Sequence, residues 1–320
     1  MTTFKEIRGT AIQVVSSDPS NPEEGQIWYN SSSGTLKGYQ LANVNAWASG
    51  GNLNTARGGM GGAGTQTAGL AFGGGPYTAS TELYNGTSWT ANPTGLNTAR
   101  SKLGGCGTQT AALAFGGNIG SVVTNTEKWN GTTWTANPTG LNTAREALGS
   151  AGIQTAALAF GGGTFSPTAA SESFNGSTWT NTPSLNTARA ELKGCGTQTA
   201  ALAIGDNTPP GTNTESYNGT AWTTVASLNT GRYQLATAGT QTAALAGGGA
   251  LSGPNAATGA TETWNGTAWT SNPTGLASPR GNVAGAGTQT AGLAFGGGTP
   301  GNATEEWTGQ ALLVKTVTVS

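Results

Sequence analysis

Leu96-Asn97-Thr98-Ala99-Arg100, then Thr108-Gln109-Thr110, Leu113-Ala114-Phe115-Gly116-Gly117, Thr126-Glu127, Trp129-Asn130-Gly131 and Trp134 mark out one unit that returns along nearly the whole chain. Its arginine comes back as Arg57, Arg100, Arg145, Arg189, Arg232 and Arg280, at steps of 43, 45, 44, 43 and 48 residues. The glutamine keeps step as Gln66, Gln109, Gln154, Gln198, Gln241 and Gln289, with Ile153 in place of one leading threonine. A period of this size suits one four-stranded sheet per unit, and six units are present.

Turn chemistry divides each unit into four segments. A Gly/Ala-rich run such as Ser101 to Gly107 meets the polar Gly-Thr-Gln-Thr, which reads as a hairpin turn. The apolar Ala111 to Phe115 ends at a glycine pair, and a loop of changing length leads to Thr126 to Trp129. Asn130-Gly131 predicts a tight type I′ hairpin, because both residues tolerate positive φ. It recurs as Asn85-Gly86, Asn175-Gly176, Asn218-Gly219 and Asn265-Gly266. A tryptophan follows the aromatic before each Asn-Gly by five residues, as in Tyr84 and Trp89, which places the two across a hairpin. A residue present in every unit serves what all units share, so these aromatics read as packing residues.

Six acids are phased with the arginines: Glu82, Glu127, Glu172, Glu215, Glu262 and Glu305. One Arg and one Glu per unit predict a repeated ion pair bracing strand ends. The competing reading is a ring of arginines awaiting an anion. Cys106 and Cys195 share one phase, occupied elsewhere by Ala63, Ala151, Ala238 and Ala286, and lie two units apart. They are expected to be small buried thiols, too distant for a disulfide.

Trp47 precedes Arg57 by ten residues, as Trp179 precedes Arg189, so it heralds a fourth strand lacking its first three. At the other end, Thr304 to Gly309 is a third strand with no following tryptophan. Together they predict a six-bladed, all-β propeller over residues 45–309, its ring closed by the Trp47 strand completing the last blade. Residues 1–44 form an amino-terminal arm and hairpin, and 310–320 a β-branched carboxy-terminal strand expected to pair with that arm near Ala11 to Val15.

The arginine before the first strand, the double glycine ending the second, the aromatic of the third and the tryptophan of the fourth resemble the kelch repeat. The fifth unit departs at Leu245-Ala246-Gly247 and the fourth at Gly205-Asp206. Near the start, Gly25-Gln26-Ile27-Trp28-Tyr29-Asn30 followed by Ser31 to Gly34 and Thr35 to Tyr39 is similar to short modules of bacteriophage tail-fibre and other virion-associated proteins. That resemblance implies a virion protein, made in the host cytoplasm and joined to other virion proteins through residues 1–44, with a homo-oligomer as one possible state.

The chain of 320 residues has 54 glycines, 8% charged residues, no histidine and a net charge of −1. A charge near zero argues against nucleic acid, which needs clustered Lys/Arg. No run approaches the roughly 18 apolar residues of a membrane span, and no signal peptide is evident. The absence of histidine removes the commonest general base and metal ligand. No cofactor or metal site is expected, and a polysaccharide-degrading enzyme ranks lowest because acids outside the phased set are scattered. Recognition is expected in the irregular loops between second and third strands. Tyr77 and Phe165 there suit stacking on a sugar ring, with Asp206, Asn207 and Asn302 bonding hydroxyls. The expected function is non-enzymatic binding of host surface glycan or protein. The alternative is an architectural virion protein packing against neighbouring copies.

Overall fold

The computed structural model describes residues 12–19, 26–42, 45–208, 211–251, 256–298 and 301–316, with the backbone alone at 39–42 and 311–315. Parts of three loops anticipated as variable (209–210, 252–255 and 299–300), the first eleven residues and the last four lie outside the described residues. The chain divides into two compact units, residues 1–44 with 309–320, and Asn45–Thr308.

The described residues are all-β, in seven four-stranded sheets rather than the six that the repeat predicts. Six of the sheets belong to the repeat. The first takes Gly61–Gly64, Gly69–Phe72, Thr81–Tyr84 and Trp89–Asn92 in order, each antiparallel to the next. The second to fifth repeat this order, starting from Gly104–Gly107, Gly149–Ile153, Lys193–Gly196 and Ala236–Gly239. The sixth takes Ala284–Gly287, Ala291–Phe295 and Thr304–Thr308, and its fourth strand is Ala46–Ser49, with Trp47 opposite Trp307.

The seventh sheet is built from the chain termini. Ile27–Asn30 and Thr35–Ala42 form a hairpin, Gln13–Val15 lies parallel to the first of these, and Ala311–Thr316 lies antiparallel to the second. The carboxy-terminal strand thus pairs with the amino-terminal region, as expected, but the segment is corrected: it is Thr35–Ala42 and not the stretch near Ala11 to Val15. Gln13–Val15 occupies the opposite edge of the sheet, whereas Thr35–Ala42 outruns Ile27–Asn30, which pairs only as far as Gly38, and leaves a long free edge. Asp18 knits this unit together: it accepts from Trp28 Nε1, Asn30 Nδ2 and Lys37 Nζ, and the Lys37 bond above all holds its carboxyl below the usual range.

The repeat's cores lie between sheets. Leu70 and Phe72 of the first sheet pack with Ala112, Trp129 and Trp134 of the second. Met60 and Trp89 of the first pack with Leu293 and Phe295 of the sixth. Second-strand phenylalanines meet the fourth-strand tryptophan of the neighbouring sheet at 4.8–5.0 Å between centroids, as Phe72 meets Trp134, Phe115 meets Trp179 and Phe295 meets Trp89. Such pairs stabilise by about 0.5–1.5 kcal/mol beyond their buried area. Gly247 lacks the aromatic because Trp47 takes the space: a Cβ there would stand 2.7 Å from the indole.

The Asn-Gly turns differ from the expected type I′ form. Only the glycine has positive φ, for example 91° at Gly86. The asparagine recurs for its side chain instead. Asn85 Oδ1 accepts the backbone N–H groups of Thr87 and Ser88, and Asn85 N donates to Ser88 O, closing a four-residue loop between Tyr84 and its partner Trp89.

Candidate functional site

Each phased arginine meets the phased glutamate of its own sheet: Arg57 and Glu82, Arg100 and Glu127 at 2.7 Å, Arg145 and Glu172 at 3.1 Å, Arg189 and Glu215 at 3.0 Å, Arg232 and Glu262 at 3.1 Å, Arg280 and Glu305. The arginine side chains have no exposure, so they do not form a solvent-facing ring awaiting an anion. Burial pushes Arg100, Arg145 and Arg189 down from the ordinary value and takes Arg232 to about 10, while the paired glutamates act against it. The glutamate does more than pair. Glu127 also accepts Asn97 N and Thr98 N, which ties the incoming Leu-Asn-Thr-Ala-Arg link to the third strand.

The phased glutamines join sheet to sheet. Gln109 Nε2 donates to Gly69 O and Tyr84 O of the preceding sheet, and Gln154 to Ala112 O and Trp129 O. Gln198, Gln241 and Gln289 repeat the step, and Gln66 of the first sheet donates to Gly292 O and Trp307 O of the sixth. Fourth-strand tryptophans add a bond to a third-strand threonine next door, as Trp134 Nε1 does to Thr81 Oγ1. In the fourth sheet serine stands at the equivalent position in the neighbour, and neither Trp222 Nε1 nor Ser171 Oγ finds a partner.

Among the loop residues expected to bind, Phe165 is fully exposed, and it shares a groove with Asn207, Glu146 and Glu191. Tyr77, half-exposed with φ 65°, belongs to the first sheet's loop and does not line this groove. Asn302 is likewise in another loop, where its carbonyl accepts Leu53 N. Asp206 turns inward. It is 1% exposed and accepts from Thr208 N and Asn213 Nδ2, both at 2.7 Å, so its carboxylate serves the loop rather than a ligand.

The groove shares Ala147 and Glu191 with a second feature of the repeat. The residue two places after each arginine has left-handed backbone: Gly59, Lys102, Ala147, Glu191, Gln234 and Asn282, with φ between 52° and 62°. For the five that carry side chains this costs about 1–2 kcal/mol each. Hydrogen bonds link them in series. Lys102 N donates to Gly59 O, Ala147 N to Lys102 O, Glu191 N to Ala147 O, Gln234 N to Glu191 O, Val283 N to Gln234 O, and Gly59 N to Asn282 O. All six residues line one pocket, together with Leu192 and Lys193. We call it the mouth.

The polar side chains of the mouth engage one another. Lys102 Nζ lies 3.4 Å from Glu146 and 4.0 Å from Glu191. Asn118 Nδ2 donates to Glu146 at 2.5 Å and Gln234 Nε2 to Glu191 at 2.8 Å. The two glutamates looked scattered in sequence but stand beside one lysine. A signal was present in the sequence: six different residue types occupy one phase of an otherwise repetitive unit. Strained backbone of this kind clusters at ligand sites.

Beneath the mouth lies a cavity of about 60 Å³, lined by Met60, Leu103, Leu148 and Leu235 and by glycine, alanine, Ser150 and Thr237 of the first strands, with Lys193 at its neck. Among the described residues no group of three or more His, Cys, Asp or Glu stands together to hold a metal ion, and no helix is long and apolar enough to cross a membrane. Comparison with protein-family models gives no match, and neither does comparison with curated proteins.

Proposed function

We propose that the six repeat sheets close into a six-bladed propeller of the kelch type, carried on a virion through residues 1–44, which binds a host-surface glycan through the Phe165 groove without catalysing a reaction. The closure draws its support from the glutamine bonds, which step from each sheet to the one before and lead from the first to the sixth. A closed array leaves no sheet face of the repeat without a neighbour. The virion assignment rests on the resemblance of the 25–39 hairpin to tail-fibre modules. Ile12, Val14 and Tyr29, exposed on the terminal sheet, give that unit apolar surface for attachment.

The observation that carries the binding reading is the groove itself. An exposed ring at Phe165 stands beside two carboxylates and the Asn207 amide, the mixture of flat apolar surface and hydrogen-bonding groups that a sugar presents in complement. Hydrolysis is disfavoured by the same geometry. Both glutamates are held by protein groups, Glu146 by Asn118 and Lys102 and Glu191 by Gln234 and Lys102, rather than left free to meet a glycosidic oxygen.

A glycan array read with the wild type, Phe165→Ala and Tyr77→Ala tests this. The wild type binds, Phe165→Ala binds at least tenfold more weakly, about 1.4 kcal/mol, and Tyr77→Ala is unchanged. Equal binding by wild type and Phe165→Ala would overturn the groove. No glycan bound, with ordered assembly through the rim of the repeat, would favour an architectural protein. Sugar released from a host polysaccharide would make it an enzyme.

A further inference from the structure

Lys193 breaks the pattern of the first strands. Its position holds Gly61, Gly104 and Gly149 in the first three sheets, where a Cβ would stand 2.2–2.4 Å from the phenylalanine opposite. Opposite Lys193 stands the smaller Ile204. The exchange of Gly and Phe for Lys and Ile thus admits one long cationic side chain where these three sheets have none. Lys193 is the one charged residue lining the cavity among those described. Among the described residues no hydrogen bond or ion pair reaches its amine. Burial pushes the amine down, and the charge of Glu191 opposes this, but Glu191 already accepts from Gln234 and faces Lys102.

The rest of the wall is strand backbone, four large apolar side chains and two hydroxyls that already donate to carbonyls, which leaves the backbone N–H groups as its free donors. Each first strand is an edge strand of its sheet. Ser150 Oγ donates to Gly105 O of the preceding sheet and Thr237 Oγ1 to Gly194 O, both at 2.8 Å, so carbonyls at this position lie on the free edge. In an antiparallel strand the N–H of a residue points to the same side as its C=O. Inward N–H groups on unpaired backbone make anion-binding concavities. Lys193 is half-buried and its amine has no partner among the described residues, so an anion entering the cavity meets an unpaired positive charge.

We propose that the cavity beneath the mouth is a site for a small oxyanion, of phosphate or carboxylate type, gripped by Lys193 Nζ and the inward backbone N–H groups of the first strands. This site is independent of the glycan reading, because Phe165 does not line it. A ligand that binds only the folded chain raises its unfolding temperature in proportion to the logarithm of concentration above its Kd.

The test is thermal unfolding of the full chain titrated with sodium phosphate, and separately sodium acetate, at constant ionic strength. The wild type is stabilised with saturable onset; a response to phosphate alone assigns a tetrahedral anion, and a response to acetate as well admits carboxylates. Lys193→Met shifts the onset to at least tenfold higher concentration. The pair Lys193→Gly with Ile204→Phe restores the arrangement of the first three sheets, so it folds, and it too loses the response. Phe165→Ala keeps it. Equal responses in wild type and both Lys193 variants would overturn the site, as would a phosphorus NMR spectrum of the wild type showing no bound population at saturating phosphate.

Discussion

The arginine of each repeat and the residue two places after it sit on the same short link, six times over. At the first position both backbone and side chain recur, and every guanidinium is buried against its glutamate. At the second the backbone recurs, left-handed each time, but the side chains are glycine, lysine, alanine, glutamate, glutamine and asparagine. One position is chosen for what all sheets need and the other is held rigid while its chemistry is left free. A scaffold that bears strain to present five different side chains and a glycine to one pocket has the form of a site, and the repeated residues around it do not.

The contrast can be broken most forcefully at the brace. Glu127→Gln leaves Arg100 buried without its counter-charge and is expected to cost about 3–5 kcal/mol in denaturant unfolding. Lys102→Ala, two residues further on, is expected to cost under about 1 kcal/mol, because its ion pairs are partly exposed. Similar losses at both positions would erase the distinction. Next in size is Gln109→Ala, which leaves Gly69 O and Tyr84 O without their inter-sheet donor and should cost about 1–3 kcal/mol.

Smaller effects sharpen the second position. Ala147→Gly relieves left-handed strain of about 1–2 kcal/mol and gives back about 0.5–1 kcal/mol in chain entropy. The net expectation is a small gain in unfolding free energy, and a loss would show that the alanine methyl packs rather than tolerates. Ser171→Thr installs the residue that bonds the fourth-strand tryptophan elsewhere and gives Trp222 Nε1 a partner, for a gain of about 0.5–1 kcal/mol.

Smallest at neutral pH is the paired change Cys106→Ala and Cys195→Ala, which copies the alanine of the other four units. Burial pushes both thiols up to about 12 from 9.0. Above pH 9 the unfolded chain loses these protons while the folded chain keeps them, so each thiol's contribution is full below pH 9 and is lost as pH rises toward 12. The double variant should match the wild type at pH 8 and outlast it at pH 10.5, measured by denaturant midpoints. Parallel pH profiles would mean that the thiols are not sealed off.

Much of this architecture is written in the period. The interval from Trp47 to Arg57 equals that from Trp179 to Arg189, which is why the amino-terminal strand could be assigned to the last sheet without coordinates. The brace was legible because one Arg and one Glu per unit have few other uses. What stayed hidden has physical causes. Left-handed backbone leaves a mark in residue type only where glycine or asparagine occupies it, as at Gly59 and Asn282, and is silent at Lys102 or Glu191. The asparagine of each hairpin suits positive φ by residue type, but it serves through its side chain, a use that residue type does not disclose. Reading by recurrence also sets aside Glu146, Glu191 and Lys193, because their meaning comes from side chains of different sheets meeting at one pocket.

Five repeat sheets are cut from contiguous chain, but the sixth borrows Ala46–Ser49, which is synthesised about 260 residues before its partner Thr304–Thr308. At roughly 5–20 residues per second this strand waits on the order of 10–50 s for the segment it must pair with. During translation, therefore, five sheets can assemble in order while the sixth stays incomplete until Thr304–Thr308 has emerged. The tryptophan at Trp47 acts as a timer as much as a wedge: its contact with Trp307 must wait for Thr304–Thr308 to emerge, and a chain truncated before Thr304 would lack that contact.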